Sequence, residues 1–304
     1  MIIIGGATAT GKSHVAIALA KAIGGELISC DSAQVYKGMD VGTAKENGDI
    51  GVNQHLIDVV EPCESFTVVD FRTLAREKIL EIRSRCNVPI IVGGTGLYID
   101  SLLYEMEYGG GSGTDDTALK ESLKRELEER GAEYMHAKLN ELDPVTAEKV
   151  HANNVVRVLR ALYVVLHTGK PISAQNAKFN PVEPFKMFVI KRDRQKLHER
   201  INTRVVKMVE EGLKGELEAL LAKGYGFNLQ SMQAIGYKEW QRYFEDGASI
   251  EDVIEQIQVN TRQYAKRQDT WFNNRYKGIA TYFDIDNQSV DEVVNCMIKE
   301  INLL

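Results

Sequence analysis

The 304-residue sequence lacks an apolar run near the roughly 18 residues that a membrane span needs. It also lacks a C-x-x-C pair, because its four cysteines (Cys30, Cys63, Cys86 and Cys296) are widely scattered. This scatter argues against a zinc finger or a disulfide framework and fits a reducing compartment. The first residues form a strand-like run of isoleucines, so we expect no signal peptide. We therefore expect a cytoplasmic protein that does not enter a membrane.

The net charge of −6 is unusual for a partner of nucleic acids, but the basic residues are concentrated locally. Residues 186–204 hold seven Lys or Arg against two acids, and residues 262–277 hold five against one. The stretch 149–170 adds further basic residues and no acid. These segments predict either nucleic-acid contacts or solvated helix faces, and charge alone does not separate the two.

The stretch "GGATATGKS" at residues 5–13 completes the pattern G-x-x-x-x-G-K-[ST] of a phosphate-binding P-loop. It follows an apolar run at 2–4 and precedes an apolar, helix-like segment. Backbone N–H groups of such a loop surround an anion at the N-terminus of a helix. Lys12 supplies a cation, and the Ser13 hydroxyl can bind Mg²⁺. The sequence therefore predicts a ligand that carries phosphates.

Strand-like and helix-like segments alternate over the first hundred residues, which predicts a parallel sheet covered by helices on both faces. A glycine-rich segment lies at 108–116, and a helical insertion is expected over 115–180. A strand around 184–193 is expected to return to the sheet, and the last 90 residues are expected to be helical. The predicted fold class is a P-loop NTPase-like α/β core in two parts, 1–114 and 181–304, with the helical insertion between them.

Two groups are expected beside the P-loop, because the carboxyl ends of parallel strands share one edge. Asp31 ends the strand-like "ELISC", and it could serve as a Mg²⁺ ligand through water, a general base or a helix cap. Thr95 lies in "GGTGLY" after another buried strand. It could bind phosphate or a base, or belong to a plain strand-to-helix turn.

Two later segments combine basic residues with helical spacing. Arg200 and Arg204 are four residues apart, so they share one helix face and suit either a phosphate clamp or a surface salt-bridge face. In "RQYAKRQDTWFNNRYK" the basic residues Arg262, Lys266 and Arg267 alternate with aromatic residues. This mixture is typical of an RNA contact, although Trp271 and Phe272 equally fit a protein core.

In this order, the motifs resemble those of the bacterial tRNA dimethylallyltransferases, also called tRNA isopentenyltransferases. The resemblance covers nearly the whole chain and rests on "GGATATGKS", "DSAQVYKGMDVGTAK", "VGGTGLY", "HERINTRVVKMVEEGL", "QAIGYKE" and "RQYAKRQDTWF". Two features depart from the family. Ala7 stands where the family's P-loop usually has proline, and the linker at 108–114 is unusually rich in glycine.

The resemblance implies transfer of a dimethylallyl group from dimethylallyl diphosphate to N6 of the adenosine just 3′ of the tRNA anticodon. It implies that Asp31 accepts the N6 proton, with Thr95 and Arg204 as the other catalytic residues. Lys12, Arg204 and the P-loop would hold the diphosphate, with Ser13 supporting Mg²⁺ as the cofactor. The implied diphosphate site comprises Gly6, Ala7, Thr8, Ala9, Thr10, Gly11, Lys12 and Ser13.

The expected partner is the anticodon stem-loop of tRNA, and nothing in the sequence requires more than a monomer. The expected tRNA contacts are Asp31, Ser32, Ala33, Gln34, Thr95, Val156, Arg157, Val158, Leu159, Arg160, Arg262, Lys266 and Arg267. Two other functions stay open on the residues alone. A small-molecule kinase would use the same P-loop and Asp31. An RNA-binding switch would use a nucleotide only as a gate.

Overall fold

The computed structural model describes residues 1–46, 48–105, 116–174 and 178–302. The glycine-rich segment 108–114 lies outside these ranges. The described strands are β1 Ile2–Gly5, β2 Gly25–Cys30, β3 Gln54–His55, β4 Val88–Gly93, β5 Tyr104–Glu105, β6 Lys178–Pro181, β7 Lys186–Lys191 and β8 Thr281–Asp284. The helices are α1 Lys12–Ile23, α2 Val68–Ser84, α3 Gly96–Leu103, α4 Thr117–Leu142, α5 Pro144–Lys149, α6 Val155–Thr168, α7 Arg194–Glu210, α8 Leu213–Ala222, α9 Gln241–Asp246, α10 Ile250–Arg275 and α11 Val290–Ile301.

The chain divides into two compact units, one formed by Met1–Leu103 and Glu183–Leu304 and the other by Tyr104–Val182. The first unit holds a six-stranded sheet in the order β3-β2-β4-β1-β7-β8, and all its pairings are parallel. Its central strands are continuous apolar runs, as expected for a sheet buried on both faces. This confirms the predicted α/β class and the strand that returns after residue 183.

Helices cover both faces of this sheet. On one face α1 and α11 pack against alternate residues of the strands, including Ile2, Ile4 and Phe188. On the other face α10 approaches β1 so closely that a Cβ on Gly5 would lie 2.4 Å from the ring of Phe272. Gly24 ends α1 in the left-handed conformation, which lets the chain reverse directly into β2.

The prediction of a wholly helical C-terminal region is wrong at one point. The segment Thr281–Asp284 forms β8, which pairs with β7 at the edge of the sheet. Only Phe283 of its four residues is buried. A short edge strand has little hydrophobic periodicity of its own, so its pairing with β7 decides its structure.

The second unit is built from α4, α5 and α6, with the antiparallel pair β5 and β6. Its core contains Leu123, Met135, Leu139 and Leu162. Gly131 interrupts α4 with a positive φ of 81°, so this element consists of two helices joined at a kink. Among the described helices of the whole chain, none is long and apolar enough to cross a membrane.

Candidate active site

The P-loop joins β1 to α1 as the sequence predicts. Gly6 and Gly11 have φ values of 143° and 99°, and a Cβ on Gly6 would lie 2.5 Å from the Ile190 carbonyl oxygen. The Thr10 hydroxyl donates to the Ala7 carbonyl at 2.8 Å, which closes the turn. These two positions therefore require glycine, and the loop leads directly into the N-terminus of α1.

A cavity of about 1050 Å³ opens beside this loop. Residues at the carboxyl ends of β2, β4 and β7 line it together with the P-loop and α7. The cations that line it are Lys12, Lys45, Arg192, Lys196, Arg200, Arg204 and Lys207. Five carboxylates also line the cavity, and Lys45 and Arg192 already form ion pairs. The cations next to the P-loop, Lys12, Arg200 and Arg204, favour a ligand with negative charges.

Asp31 lies in this cavity immediately after β2. Its Oδ1 accepts a hydrogen bond from the Ala33 N–H at 2.9 Å, which orients the carboxylate. No helix begins at this residue, so the helix-cap alternative does not apply. Asp31 remains a candidate for binding a cation or accepting a proton.

Lys12 and Arg204 lie in the same cavity as Asp31. Burial lowers the pKa of Lys12 to about 8, with the Asp31 carboxylate opposing this shift and Arg204 adding to it. Burial likewise lowers the pKa of Arg204, and Asp31 opposes that shift. The two cations are thus partly desolvated in the cavity, and an anion between them would restore their preference for the charged form.

Helix α7 places Arg200 and Arg204 on the cavity side. Asp193 caps the helix, because its Oδ1 accepts from the N–H groups of Gln195 and Lys196 at 2.8 and 3.1 Å. The Arg200 Nε donates to the Ala9 carbonyl at 3.1 Å. The prediction that Arg200 and Arg204 share one helix face is confirmed, since both line the cavity.

Gln268 is a site residue that the sequence reasoning missed. It is 6% exposed, its Oε1 accepts from the Thr8 N–H at 2.8 Å, and its Nε2 donates to the Gly94 carbonyl at 3.0 Å. The Thr8 amide therefore has a protein partner, as does the Thr10 N–H, which donates to the Ala7 carbonyl at 3.4 Å. The signal in the sequence is the motif "RQYAKRQDTWF", in which Gln268 stands among basic residues.

Thr95 lies in the turn between β4 and α3. Its N–H donates to the Cys30 carbonyl at 3.3 Å, so the turn adjoins the residue that precedes Asp31. Its hydroxyl is buried beside the phenol of Tyr264, and burial raises the pKa of that phenol to about 12. Thr95 is not among the residues that line the large cavity.

The segment after Asp31 supplies the remaining predicted contacts of this site. Gln34 lines the cavity, whereas Ser32 is exposed and Ala33 is half-buried. The Gln34 side chain accepts from the Ser29 hydroxyl at 2.9 Å and donates to the carbonyls of Thr43 and Ala44. Gln34 thus has fixed partners at both ends of its amide.

The predicted tRNA contacts of α10 differ in their surroundings. Lys266 and Arg267 are exposed, while the Arg262 Nη1 donates to the Asn202 side chain of α7 at 2.5 Å. Phe272 is 1% exposed and belongs to the core, and Trp271 is 38% exposed. The alternative that assigned these two aromatic residues to the core therefore holds for Phe272.

The predicted run on α6 lies within the second unit. Val156 is 80% exposed, and Arg157 and Arg160 are also exposed. Leu159 is half-buried, whereas Val158 is 1% exposed and packs in the core of that unit. The side chain of Val158 is therefore turned away from solvent and from any partner there.

The residues present could hold a Mg²⁺ ion only together with oxygen atoms from outside the protein. Ser13 and Asp31 both line the cavity. In the part of the chain that the structure describes, no group of three or more His, Cys, Asp or Glu side chains is arranged to hold a metal. A cation at Ser13 would thus depend on oxygen atoms of the bound ligand and water.

A parallel sheet, a P-loop and a cation-lined cavity define a P-loop α/β protein that binds a phosphate-bearing ligand. The family model for IPP transferase matches residues 34–275, and the model for isopentenyl transferase matches residues 1–49. This chain belongs to the IPP transferase family.

Individual relatives agree over nearly the full length. The tRNA dimethylallyltransferase of Bacillus cytotoxicus is 43% identical, covering 100% of this chain and 96% of the relative. That of Acetivibrio thermocellus is 46% identical over 95% of each. The crystal structure of a Staphylococcus epidermidis tRNA delta(2)-isopentenylpyrophosphate transferase matches with a TM-score of 0.71 and 36% identity, over 99% of this chain and 98% of that one.

Proposed function

We propose that this enzyme transfers a dimethylallyl group from dimethylallyl diphosphate to an adenosine N6 of tRNA, releasing diphosphate. The adenosine is the one directly 3′ of the anticodon. The observation that carries the proposal is the placement of Asp31 with Lys12 and Arg204 in one P-loop cavity, in a chain of this family. The kinase alternative is not favoured, because the full-length relatives are prenyltransferases by name.

The diphosphate binds at the N-terminus of α1, between Lys12 and Arg204. Both cations line the cavity, and burial already weakens their hydration. Loop amides after Thr8 and the α1 N-terminus add partial positive charge. As the C–O bond to diphosphate breaks, negative charge grows on the leaving oxygens, and these fixed groups stabilise it.

Asp31 accepts the proton from the adenine amine. N6 forms a bond to C1 of the dimethylallyl group, the C1–O bond to diphosphate breaks, and the N6 proton passes to the carboxylate. The Ala33 N–H holds one carboxylate oxygen at 2.9 Å, which orients the other toward a substrate. An exocyclic amine is a weak nucleophile, so positioning and proton removal both raise the rate.

We propose Mg²⁺ as the cofactor, held by the Ser13 hydroxyl together with oxygen atoms of the diphosphate. When bound, it neutralises charge on the leaving group. The lining of the cavity by Ser13 supports this assignment, and Lys12 and Arg204 supply the protein's own positive charge beside it.

The tRNA contacts are proposed on both units. Asp31 to Gln34 and Thr95 contact the target nucleotide, and the exposed residues Lys266 and Arg267 on α10 contact phosphates, joined there by Arg262. In the second unit the proposal rests on Val156, Arg157, Leu159 and Arg160, with Val158 supporting the helix from the core. An anticodon loop suits this site, because its bases leave the stack more easily than those of a duplex.

We also propose that the enzyme acts as a monomer in the cytoplasm. The four cysteines are free thiols. Free thiols fit a reducing compartment.

The test incubates tRNA with labelled dimethylallyl diphosphate or with labelled ATP, followed by mass spectrometry of the digested nucleosides. We expect the prenylated adenosine only with the diphosphate. Asp31→Asn should lower turnover about 100-fold or more while tRNA affinity stays within about threefold. ATP hydrolysis without tRNA modification would contradict the proposal.

Asp49→Asn is the matched control. Asp49 also accepts a backbone N–H two residues on, from Gly51 at 2.7 Å, but it does not line the cavity. In both variants the new amide oxygen can keep the turn. Equal losses in the two variants would show that the Asp31 carboxylate has no special role.

A further inference from the structure

The segment 33–46, which we call the wall loop, follows Asp31 and forms one wall of the cavity. Its cavity-lining members include Gln34, Val41, Thr43 and Lys45. It consists of turns, with only a single isolated bridge to Val60 at Tyr36. Backbone hydrogen bonds tie its first part to residues 58–60, since the N–H groups of Val59 and Val60 donate to the Val35 carbonyl at 2.7 and 3.0 Å. The N–H groups of residues 40–42 take their partner from another part of the chain.

Glu216 of α8 holds residues 40–42 of the wall loop. One carboxylate accepts from the backbone N–H groups of Asp40 and Val41, each at 2.7 Å, and from that of Gly42 at 3.2 Å. Three successive amides on one carboxylate form a charge-assisted cluster of the kind that binds anions strongly. Glu216 therefore holds the middle of the wall loop, although it does not line the cavity itself.

Tyr237 in turn holds Glu216 in place. The Tyr237 hydroxyl donates to the Glu216 Oε1 at 2.6 Å, and burial together with this carboxylate raises the Tyr237 pKa, so the phenol stays a donor. The ring is fully buried against Gly42, where a Cβ would lie 2.4 Å from it. Glu239 holds the adjoining Gly236 N–H at 2.9 Å and accepts from Asn260 of α10 at 2.6 Å.

Hydrogen bonds within the wall loop connect residues 40–45 to the end of the cavity where Asp31 lies. The Gln34 amide donates to the carbonyls of Thr43 and Ala44 at 3.2 and 3.4 Å and accepts from Ser29, two residues before Asp31. Lys45, 8% exposed, donates to Asp40, to Asp58 and to the Tyr36 carbonyl, each at 2.6 Å. A shift at residues 40–42 would therefore move Gln34 relative to Asp31.

We propose that Glu216 is a positioning residue for the acceptor adenosine, acting through the wall loop and not on the diphosphate. The inference rests on the proposed function. Loss of Glu216 should affect the tRNA and not the diphosphate, because Glu216 contacts the wall loop, whereas the diphosphate is assigned to Lys12, Arg204 and the P-loop.

The experiment compares Glu216→Gln with Glu218→Gln, a control on the same helix. Glu218 is about half exposed and only pairs with Lys214 at 3.5 Å. Glutamine at 216 can keep its amide oxygen on the N–H groups of Asp40 and Val41, but its NH₂ then faces the Gly42 N–H and the Tyr237 hydroxyl, and the negative charge that strengthens all these bonds is lost. We expect kcat/KM for tRNA to fall about 10- to 100-fold, with the pyrophosphate Kd from calorimetry nearly unchanged. Glu218→Gln should match the wild type.

Tyr237→Phe is the second variant, because it removes one donor to Glu216 and keeps the ring against Gly42. We expect a loss of about threefold to tenfold in kcat/KM for tRNA, and little further loss when it is added to Glu216→Gln. Should Glu216→Gln not fold, Tyr237→Phe carries the same test.

Two results would overturn the inference: tRNA kinetics within twofold of the wild type in the folded variants, or a loss matched by equal weakening of pyrophosphate binding. A wild-type enzyme that fails to prenylate tRNA would instead overturn the proposed function.

Discussion

Replacing Gln268 with methionine tests whether this side chain joins the P-loop to the Thr95 turn. Methionine has a similar length and volume but cannot replace either hydrogen bond. The change leaves the Thr8 N–H and the Gly94 carbonyl without their 2.8 and 3.0 Å partners. The Gly94 end is buried, whereas the Thr8 end is only partly buried.

The magnitude follows from these surroundings. A buried polar group that loses its partner costs about 1–3 kcal/mol. Thr8 adjoins the cavity, where water can replace part of its bond, so Gly94 dominates the loss. We expect Gln268→Met to lower the free energy of unfolding by about 2–3 kcal/mol and to raise the Kd for pyrophosphate several-fold.

Urea unfolding at pH 7 and calorimetric titration with pyrophosphate measure the two effects. Gln263→Met is the control, because Gln263 lies on the same helix and is exposed. An unchanged m-value would show that the variant unfolds from a comparably compact state. A loss below about 0.5 kcal/mol with unaltered pyrophosphate binding would refute the reasoning.

Three further predictions follow from charges and packing. Because burial lowers the Lys12 pKa to about 8, pyrophosphate binding should weaken as the pH rises above 8, and Lys12→Arg should flatten that dependence in calorimetric titrations. Burial would raise the Glu26 pKa, but hydrogen bonds from Arg85, Asn87 and His55 lower it to about 2. In the unfolded chain the pKa of Glu26 is near 4.5. Glu26 should therefore add about 3 kcal/mol to the free energy of unfolding above pH 4.5, and this contribution should be lost as the pH falls toward 2. Urea unfolding of Glu26→Gln at pH 7 and pH 3 checks this, and equal losses at both pH values would contradict it. Gly5→Ala should cost about 2 kcal/mol, since its Cβ would lie 2.4 Å from Phe272, and adding Phe272→Leu should recover part of the loss in thermal unfolding.

The parts of the fold that sequence could predict are those fixed by local pattern. The P-loop, the apolar strands β1, β2 and β4 and the helix α7 each carry a periodicity or a turn residue within a short window. Asp31 could be placed beside the P-loop because strand ends of a parallel sheet share one edge. The local elements can be predicted from a few neighbouring residues, and the placement of Asp31 needs only one general rule of topology in addition.

The missed features depend on contacts far apart in the chain. Gln268 reaches Thr8 across 260 positions, and Glu216 reaches the wall loop across 174 to 176. A glutamine or glutamate on a helix has no local pattern that distinguishes it from a solvated neighbour. The edge strand β8 was missed for the same reason, because its partner β7 lies about 90 residues earlier.

The motif "RQYAKRQDTWF" illustrates how one helix divides its residues between packing and binding. Residues three and four positions apart share the face of α10 that meets the strand ends. Each of them packs against a glycine, and a Cβ added to that glycine would overlap the side chain from α10. These pairs are Phe272 with Gly5, Gln268 with Gly94 and Trp271 with Gly96. Lys266 and Arg267 lie off this face and are its exposed basic members. The glycines at these strand ends therefore admit α10 at close range, which makes the P-loop, the Thr95 turn and α10 one packed unit.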